Sequence, residues 1–180
     1  MKQSKSLIKK YHFYEKYHQN FYNKLVHILC IPMLVWTTTV FLTYIPSFVL
    51  TLGNYTFNLT VSGLIATLYV SYYLYLDFEL GLISSFLFFL NVLSSSYFVQ
   101  NNSLSYSLGM SLSIHLISWT LQILSHKYFE GNKPALLDSI TQSFSIAPLF
   151  TLLEFLFLFG FRKDLDKKLN LYKKLIEKSE

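Results

Sequence analysis

The 180-residue sequence predicts an all-α fold, a multi-pass membrane helical bundle, from three observations. Hydrophobic residues make up 52% of the chain and charged residues only 14%, against roughly one quarter charged in soluble domains. The shortage of charge is localised, because between Lys24 and Lys127 the only charged side chains are Asp77 and Glu79. Basic residues crowd the two ends instead: Lys2, Lys5, Lys9, Lys10, Lys16 and Lys24 before the apolar stretch, Lys127 and Lys133 after it, and a run from Arg162 to Lys178. A soluble chain needs charge to keep its surface wet, so lipid is the expected solvent.

The length allows one membrane-embedded domain, residues 1–180. Residues 1–26 hold an expected interfacial helix, in which Leu7, Ile8, Tyr11, Tyr14, His18, Phe21, Tyr22 and Leu25 recur at three- and four-residue spacing with lysines opposite. Four spans are expected within 27–125, at about 27–50, 59–76, 82–99 and 106–125. Gly53, Asn54 and Asn58 mark the first loop, Asp77, Glu79 and Gly81 the second, and 100–103 the third. Residues 126–161 comprise a polar loop and a fifth apolar segment, interrupted by Gln142, Pro148 and Glu154. Residues 162–180 form a basic amphipathic tail, with Phe161, Leu165, Leu169, Tyr172 and Ile176 in one stripe.

Charge sets the expected topology. The lysine-rich N-terminus belongs on the cytosolic side, and four spans return the chain there. A true fifth span would carry the basic tail across, so a re-entrant or interfacial fifth segment, with both termini cytosolic, is expected. The patterns Asn54-Tyr-Thr56, Asn58-Leu-Thr60 and Asn101-Asn-Ser103 fall in far-side loops, as glycosylation acceptors or chance matches.

A pI near 9.1 raises the question of nucleic acid, but the charge flanks apolar spans and no binding motif accompanies it, so membrane lipid is the expected partner. Cys30, the only cysteine, excludes a disulfide framework and a CxxC site and reads as a small buried residue. No cleavable signal peptide is evident, since the first apolar run follows about 25 polar, aromatic and basic residues.

Of five histidines, His18, His27 and His126 fall near the cytosolic boundary in this topology. Imidazole is a common metal ligand and is equally at home as an interfacial side chain. His115, Trp119, Gln122 and His126 share one helical face, suited to a cavity or to interhelical hydrogen bonds. His115 and His126 lie ~16 Å apart on an unbroken helix, and His18 and His27 ~13 Å. One metal site therefore needs broken helices, with Asn20 and Asn23 marking a candidate break, or ligands drawn from different segments. Glu130 and Asp138 add carboxylates just beyond, and Glu154, in an apolar segment, needs a partner.

Two ordered blocks carry a resemblance. Tyr17-His18-Gln19-Asn20, Asn23-Lys24, His27 and Ile31-Pro32 form the first. His115, Trp119, Gln122, His126, Phe129-Glu130-Gly131, Pro134-Ala135-Leu136, Asp138, Gln142, Ala147-Pro148 and Glu154 form the second. Together they resemble the Mpo1-like family, 2-hydroxy fatty acid dioxygenases of the endoplasmic reticulum membrane. Ser125 stands where that pattern commonly has glycine, and Lys133 where it commonly has arginine.

The resemblance implies Fe(II)-dependent alpha-oxidation, in which a 2-hydroxy fatty acid from phytosphingosine and sphingolipid degradation loses one carbon to dioxygen. It implies His18, His27, His115 and His126 as candidate Fe(II) ligands, Gln122 and Glu130 as candidate catalytic groups, and Lys24, Trp119 and Lys127 as candidate substrate contacts. Non-haem Fe(II) suits imidazole and keeps positions open for substrate and oxygen. A 2-oxoglutarate cosubstrate has no motif here. Two rivals stand beside this reading: a histidine-box desaturase or hydroxylase, disfavoured because no compact HxxHH cluster is present, and a non-catalytic structural or lipid-binding membrane protein.

Overall fold

The computed structural model describes residues 5–53 and 55–178, with the backbone alone at Leu52, 55–58 and Glu177. The chain runs α1 (Lys5–Glu15), α2 (Phe21–Thr43), β1 (Phe48–Leu52), β2 (Tyr55–Leu59), α3 (Val61–Leu76), α4 (Phe78–Gln100) and α5 (Leu104–Ser125). A π-helical turn (His126–Glu130) continues α5 directly, and a 3₁₀ turn (Ala135–Leu137), α6 (Ile140–Leu158) and α7 (Lys163–Glu177) follow. The fold is helical as expected, and four helices are long and apolar enough to cross a membrane: α2, α4, α5 with its π turn, and α6.

Three boundaries differ from the sequence reading. The first span stops at Thr43 instead of Leu50. Pro46 disfavours helix in the residue before it, and the apolar run beyond pairs as an antiparallel hairpin, Phe48 opposite Leu59 and Leu52 opposite Tyr55. Gly53, at φ 61°, supplies left-handed backbone at the tip. The Asn54 acceptor pattern lies outside the described residues. Second, α3 has 16 residues, a rise of ~24 Å, short of a ~30 Å hydrocarbon core, whereas α6 is long enough to cross. Third, the single helix expected near the N-terminus is two: α1 ends at Glu15 and α2 starts at Phe21, where the Asn20 side chain accepts the Tyr22 N–H at 2.9 Å.

The chain forms two compact units, Pro32–Trp119 and a discontinuous one of Met1–Ile31 with Thr120–Glu180. In the first, α3 and α4 make a tight antiparallel hairpin. Asp77 caps α4 by accepting the Leu80 N–H at 3.1 Å, and a Cβ at Gly81 would stand 2.5 Å from the Leu74 backbone, so only glycine permits this approach. Helix α4 buries Gly81, Ser84 and Ser95 and exposes Phe86, Phe89, Leu90 and Leu93. That reverses the soluble pattern and is the arrangement of helices packed in lipid through small residues. Trp36 donates to Ser94 at 3.1 Å and Thr39 to Asn91 at 2.7 Å, tying α2 to α4 with bonds that lipid cannot replace.

In the second unit α6 lies antiparallel to α1. The Tyr14 and Tyr11 rings pack on Phe150 at 4.7 and 5.2 Å, Tyr11 also meets Phe157, and the Tyr17 hydroxyl donates to Asp138 at the start of that segment. Helix α7 closes against α1. Leu165 and Leu169 are buried, Lys173 meets Glu15 at 3.2 Å and Gln19 at 2.8 Å, and Tyr172 meets His12 edge-on. Of the predicted tail stripe, Phe161 is exposed.

Candidate metal centre

The break between α1 and α2 decides where the histidines go. His18 lies inside it, His27 two turns into α2, and His126 opens the π turn. Their ring centroids are 4.4 Å apart for His18–His27, 4.7 Å for His18–His126 and 4.9 Å for His27–His126, and all three rings are buried. One ring nitrogen from each falls within 4.8 Å of the others, and among the described residues no other trio of His, Cys, Asp or Glu converges in this way. Nitrogens sharing one ion at ~2 Å each stand roughly 3–4 Å apart, so small ring rotations suffice.

Two of the three tautomers follow from hydrogen bonding. His18 Nδ1 meets the Tyr14 carbonyl at 2.8 Å, and His27 Nδ1 meets the Asn23 carbonyl at 2.9 Å. A carbonyl only accepts, so each Nδ1 carries the proton and each Nε2 keeps a lone pair, the usual arrangement of a metal-ligating histidine. His18 Nε2 and His126 Nδ1 are buried without a hydrogen-bond partner, a costly state that coordination relieves. Burial, with the adjacent His27 second, holds the His18 imidazole well below its usual range and so favours the neutral form, the one able to ligate a metal. The Tyr14 ring stacks on His18 at 4.5 Å and Phe150 packs against it at 5.2 Å, giving the centre a dry wall. The donor set fits a divalent transition metal such as Fe(II).

A second set of groups surrounds the trio. Glu130 accepts the Asn20 N–H at 2.8 Å and the Asn23 amide at 3.0 Å, and Ser125 donates to Asn23 Oδ1 at 2.6 Å. Glu154 finds its partners in Lys24, at 3.0 Å, and the Tyr11 hydroxyl. Lys24, a candidate substrate contact, is thus already the half-buried partner of the buried Glu154 carboxylate.

The remaining predicted residues lie elsewhere. His115 belongs to the other unit, where Trp119 Nε1 donates to its Nε2 at 3.1 Å and its Nδ1 meets Thr37 Oγ1 at 2.8 Å. Indole only donates, so His115 Nδ1 bears the proton and both of its nitrogens are engaged. Trp119 therefore serves His115. Gln122 is buried, and its main-chain carbonyl, 2.8 Å from the Ser125 hydroxyl, shares that one proton with Asn23 Oδ1. Lys127 is exposed, its ammonium 5.8 Å from the Tyr128 ring centre. Asp138 is held by Lys133 and Tyr17, which keep its carboxyl below the usual range. Sequence reasoning missed the roles of Asn23, Ser125 and Tyr11. The spacing of Asn23 four residues before His27 was the available signal for the first.

Comparison with known proteins adds to this geometry. The family model described as 2-hydroxy-palmitic acid dioxygenase Mpo1-like matches residues 4–158. The 2-hydroxy-palmitic acid dioxygenase MPO1 of Saccharomyces cerevisiae is 27% identical over 149 residues, 83% of this chain and 79% of the relative. No solved structure matches.

Proposed function

The chain belongs to the Mpo1-like family, and on that premise we propose that it is an Fe(II)-dependent dioxygenase that shortens 2-hydroxy fatty acids by one carbon in the endoplasmic reticulum membrane. The observation that carries the reading is the buried convergence of His18, His27 and His126, with backbone hydrogen bonds leaving the Nε2 lone pairs of His18 and His27 free. The overall balance needs no external reductant. One 2-hydroxy acid and one dioxygen give the shorter fatty acid, carbon dioxide and water, with the hydroxyl-bearing carbon raised to a carboxyl.

His18, His27 and His126 would hold the metal, which supplies redox chemistry toward dioxygen and open coordination positions. The protein's own groups do the rest. Tyr14 and Phe150 exclude water beside His18. Lys24, one turn before His27, places positive charge on the approach of the substrate carboxylate, shared with Glu154. The exposed Phe and Leu side chains of α2 and α6 offer acyl-compatible surface. What counts against a purely structural role is the convergence of three buried imidazoles on one point, since His12, outside the trio, also leaves its ring nitrogens without a hydrogen bond.

The contact of α1 with α7 supports termini on one side of the membrane, because both are lysine-bearing amphipathic helices packed on one another. That requires an even number of crossings. The alignment of α6 along α1 favours a re-entrant or interfacial α6. The decisive experiment is incubation of the purified chain with Fe(II), oxygen and 2-hydroxypalmitate, followed by fatty-acid analysis. The acid one carbon shorter should appear, and should be absent with His126→Ala. Folded wild-type protein that binds no iron and releases no shortened acid would overturn the proposal.

A further inference from the structure

Glu130 is a candidate catalytic group by sequence, yet its surroundings assign it different work. Its Oε1 receives two donors, the Asn20 main-chain N–H at 2.8 Å and the Asn23 amide at 3.0 Å. Asn23 is itself fully buried and spends its other polar atoms on the histidines' supports. Its Oδ1 takes the hydroxyl of Ser125, the residue before His126, at 2.6 Å, and its carbonyl takes the Nδ1 proton of His27 at 2.9 Å.

One asparagine therefore holds His27 directly and His126 through its chain neighbour, and one carboxylate holds that asparagine. The π turn makes this possible. Ser125 and Glu130 are five residues apart, the repeat of π-helical hydrogen bonding, so both reach Asn23. In an α-helix, at 3.6 residues per turn, five residues would turn them ~140° apart. Glu130 also sits at the N-terminus of α2, where the helix dipole favours an anion.

We propose that Glu130, through Asn23, is a positioning residue: a clamp that fixes the separation of His27 and His126 and so sets metal affinity. The clamp rests on the reading of the three histidines as metal ligands.

The test uses the full chain in detergent, with Co(II) as the metal probe followed by its visible absorption, and thermal unfolding alongside. Glu130→Ala and Asn23→Ala should each weaken Co(II) binding ~10–100-fold, the range for groups that orient metal ligands. The double variant should lose little more than the worse single one, because both cut a single connection. Glu130→Gln keeps an acceptor oxygen and should bind within about 3-fold of wild type. Should Glu130→Ala not fold, Ser125→Gly replaces it as the probe, with an expected loss of about 3–10-fold.

Three results would sink the clamp. Normal Co(II) binding by Glu130→Gln with turnover lost at saturating Fe(II) makes Glu130 catalytic. Earlier melting of Glu130→Ala, or of Ser125→Gly in its place, with affinity unchanged makes the network merely structural. Wild-type protein that binds no Co(II) removes the metal reading, and the clamp with it.

Discussion

Replacing Lys24 by methionine should destabilise the protein more than replacing its partner Glu154 by glutamine. The Lys24 side chain is 22% exposed and that of Glu154 8%. Without Lys24, the Glu154 carboxylate stays buried with only the Tyr11 hydroxyl to stabilise it. Breaking a fully buried pair in this way costs ~3–5 kcal/mol, and the partial exposure of Lys24 lowers the expectation to ~2–4 kcal/mol. Glu154→Gln keeps an acceptor for Tyr11 and leaves an ammonium that can reach water, so ~1 kcal/mol is expected. The double variant has neither charge and should recover to within ~1 kcal/mol of wild type, since a neutral pair of similar volume avoids the desolvation of both ions. For a chain of this size 1 kcal/mol moves the midpoint by ~2–4 °C, so Lys24→Met should melt about 4–16 °C early. Thermal unfolding in detergent reads this, and the KM for 2-hydroxypalmitate of the double variant reads the second role of Lys24. If Lys24→Met melts no earlier than Glu154→Gln, the buried-carboxylate reasoning is wrong. If the stable double variant keeps its KM, Lys24 has no part in binding the carboxylate.

Other outcomes follow from the same coordinates. Burial lowers the folded pKa of His18, so the unfolded chain binds its proton first. The metal-free protein should keep this contribution above pH ~6.5 and lose ~1.4 kcal/mol per unit as pH falls below it; the slope should shrink in His18→Gln, and an identical slope would contradict it. His115→Ala should lower the midpoint, since it removes the bonds that Thr37 and Trp119 make to the imidazole, but leave one Co(II) per chain; loss of the metal would make His115 a ligand after all. Removing residues 163–180 takes away the buried Leu165 and Leu169 of α7, uncovers α1, and should reduce abundance more than turnover per folded molecule; normal abundance with no turnover would count against it. Tags at the two ends should show the same protease sensitivity on intact microsomes, and opposite sensitivities would make the number of crossings odd.

The membrane character was legible because it rests on composition: a hundred residues with two charges admit few other solvents. The break before α2 was legible only as a candidate: the periodicity ran one helix through it, while Asn20 is a capping residue and the ~13 Å rise between His18 and His27 required a break, or ligands from different segments, if the two were to share one ion. Phe48–Leu52 was not, since a short apolar run has the same pattern in a strand and a helix and the pairing with Tyr55–Leu59 decides. The π turn was invisible for a different reason. Nothing in His126–Glu130 names a wider helix, and it becomes necessary only when Ser125 and Glu130 must reach one asparagine. Lys24 read as a flanking lysine and candidate substrate contact until Glu154, 130 residues later, came within 3.0 Å. His115 shared a helical face with His126, and the helical rise already argued against a common ion; the structure spends its two nitrogens on Thr37 and Trp119.

The protons on His18 and His27 rest on the carbonyls of Tyr14 and Asn23, each four residues earlier in the chain. No side chain encodes that choice of tautomer. Alanine scanning is blind to it, and so is sequence drift: relatives can exchange most of their side chains and still point the same lone pairs at the same spot. Only chemistry that reaches the main chain can disturb it, such as an ester in place of the amide whose carbonyl accepts, or a proline that swings that carbonyl away. The most heritable part of this centre is written in the backbone, where a substitution matrix has no letters.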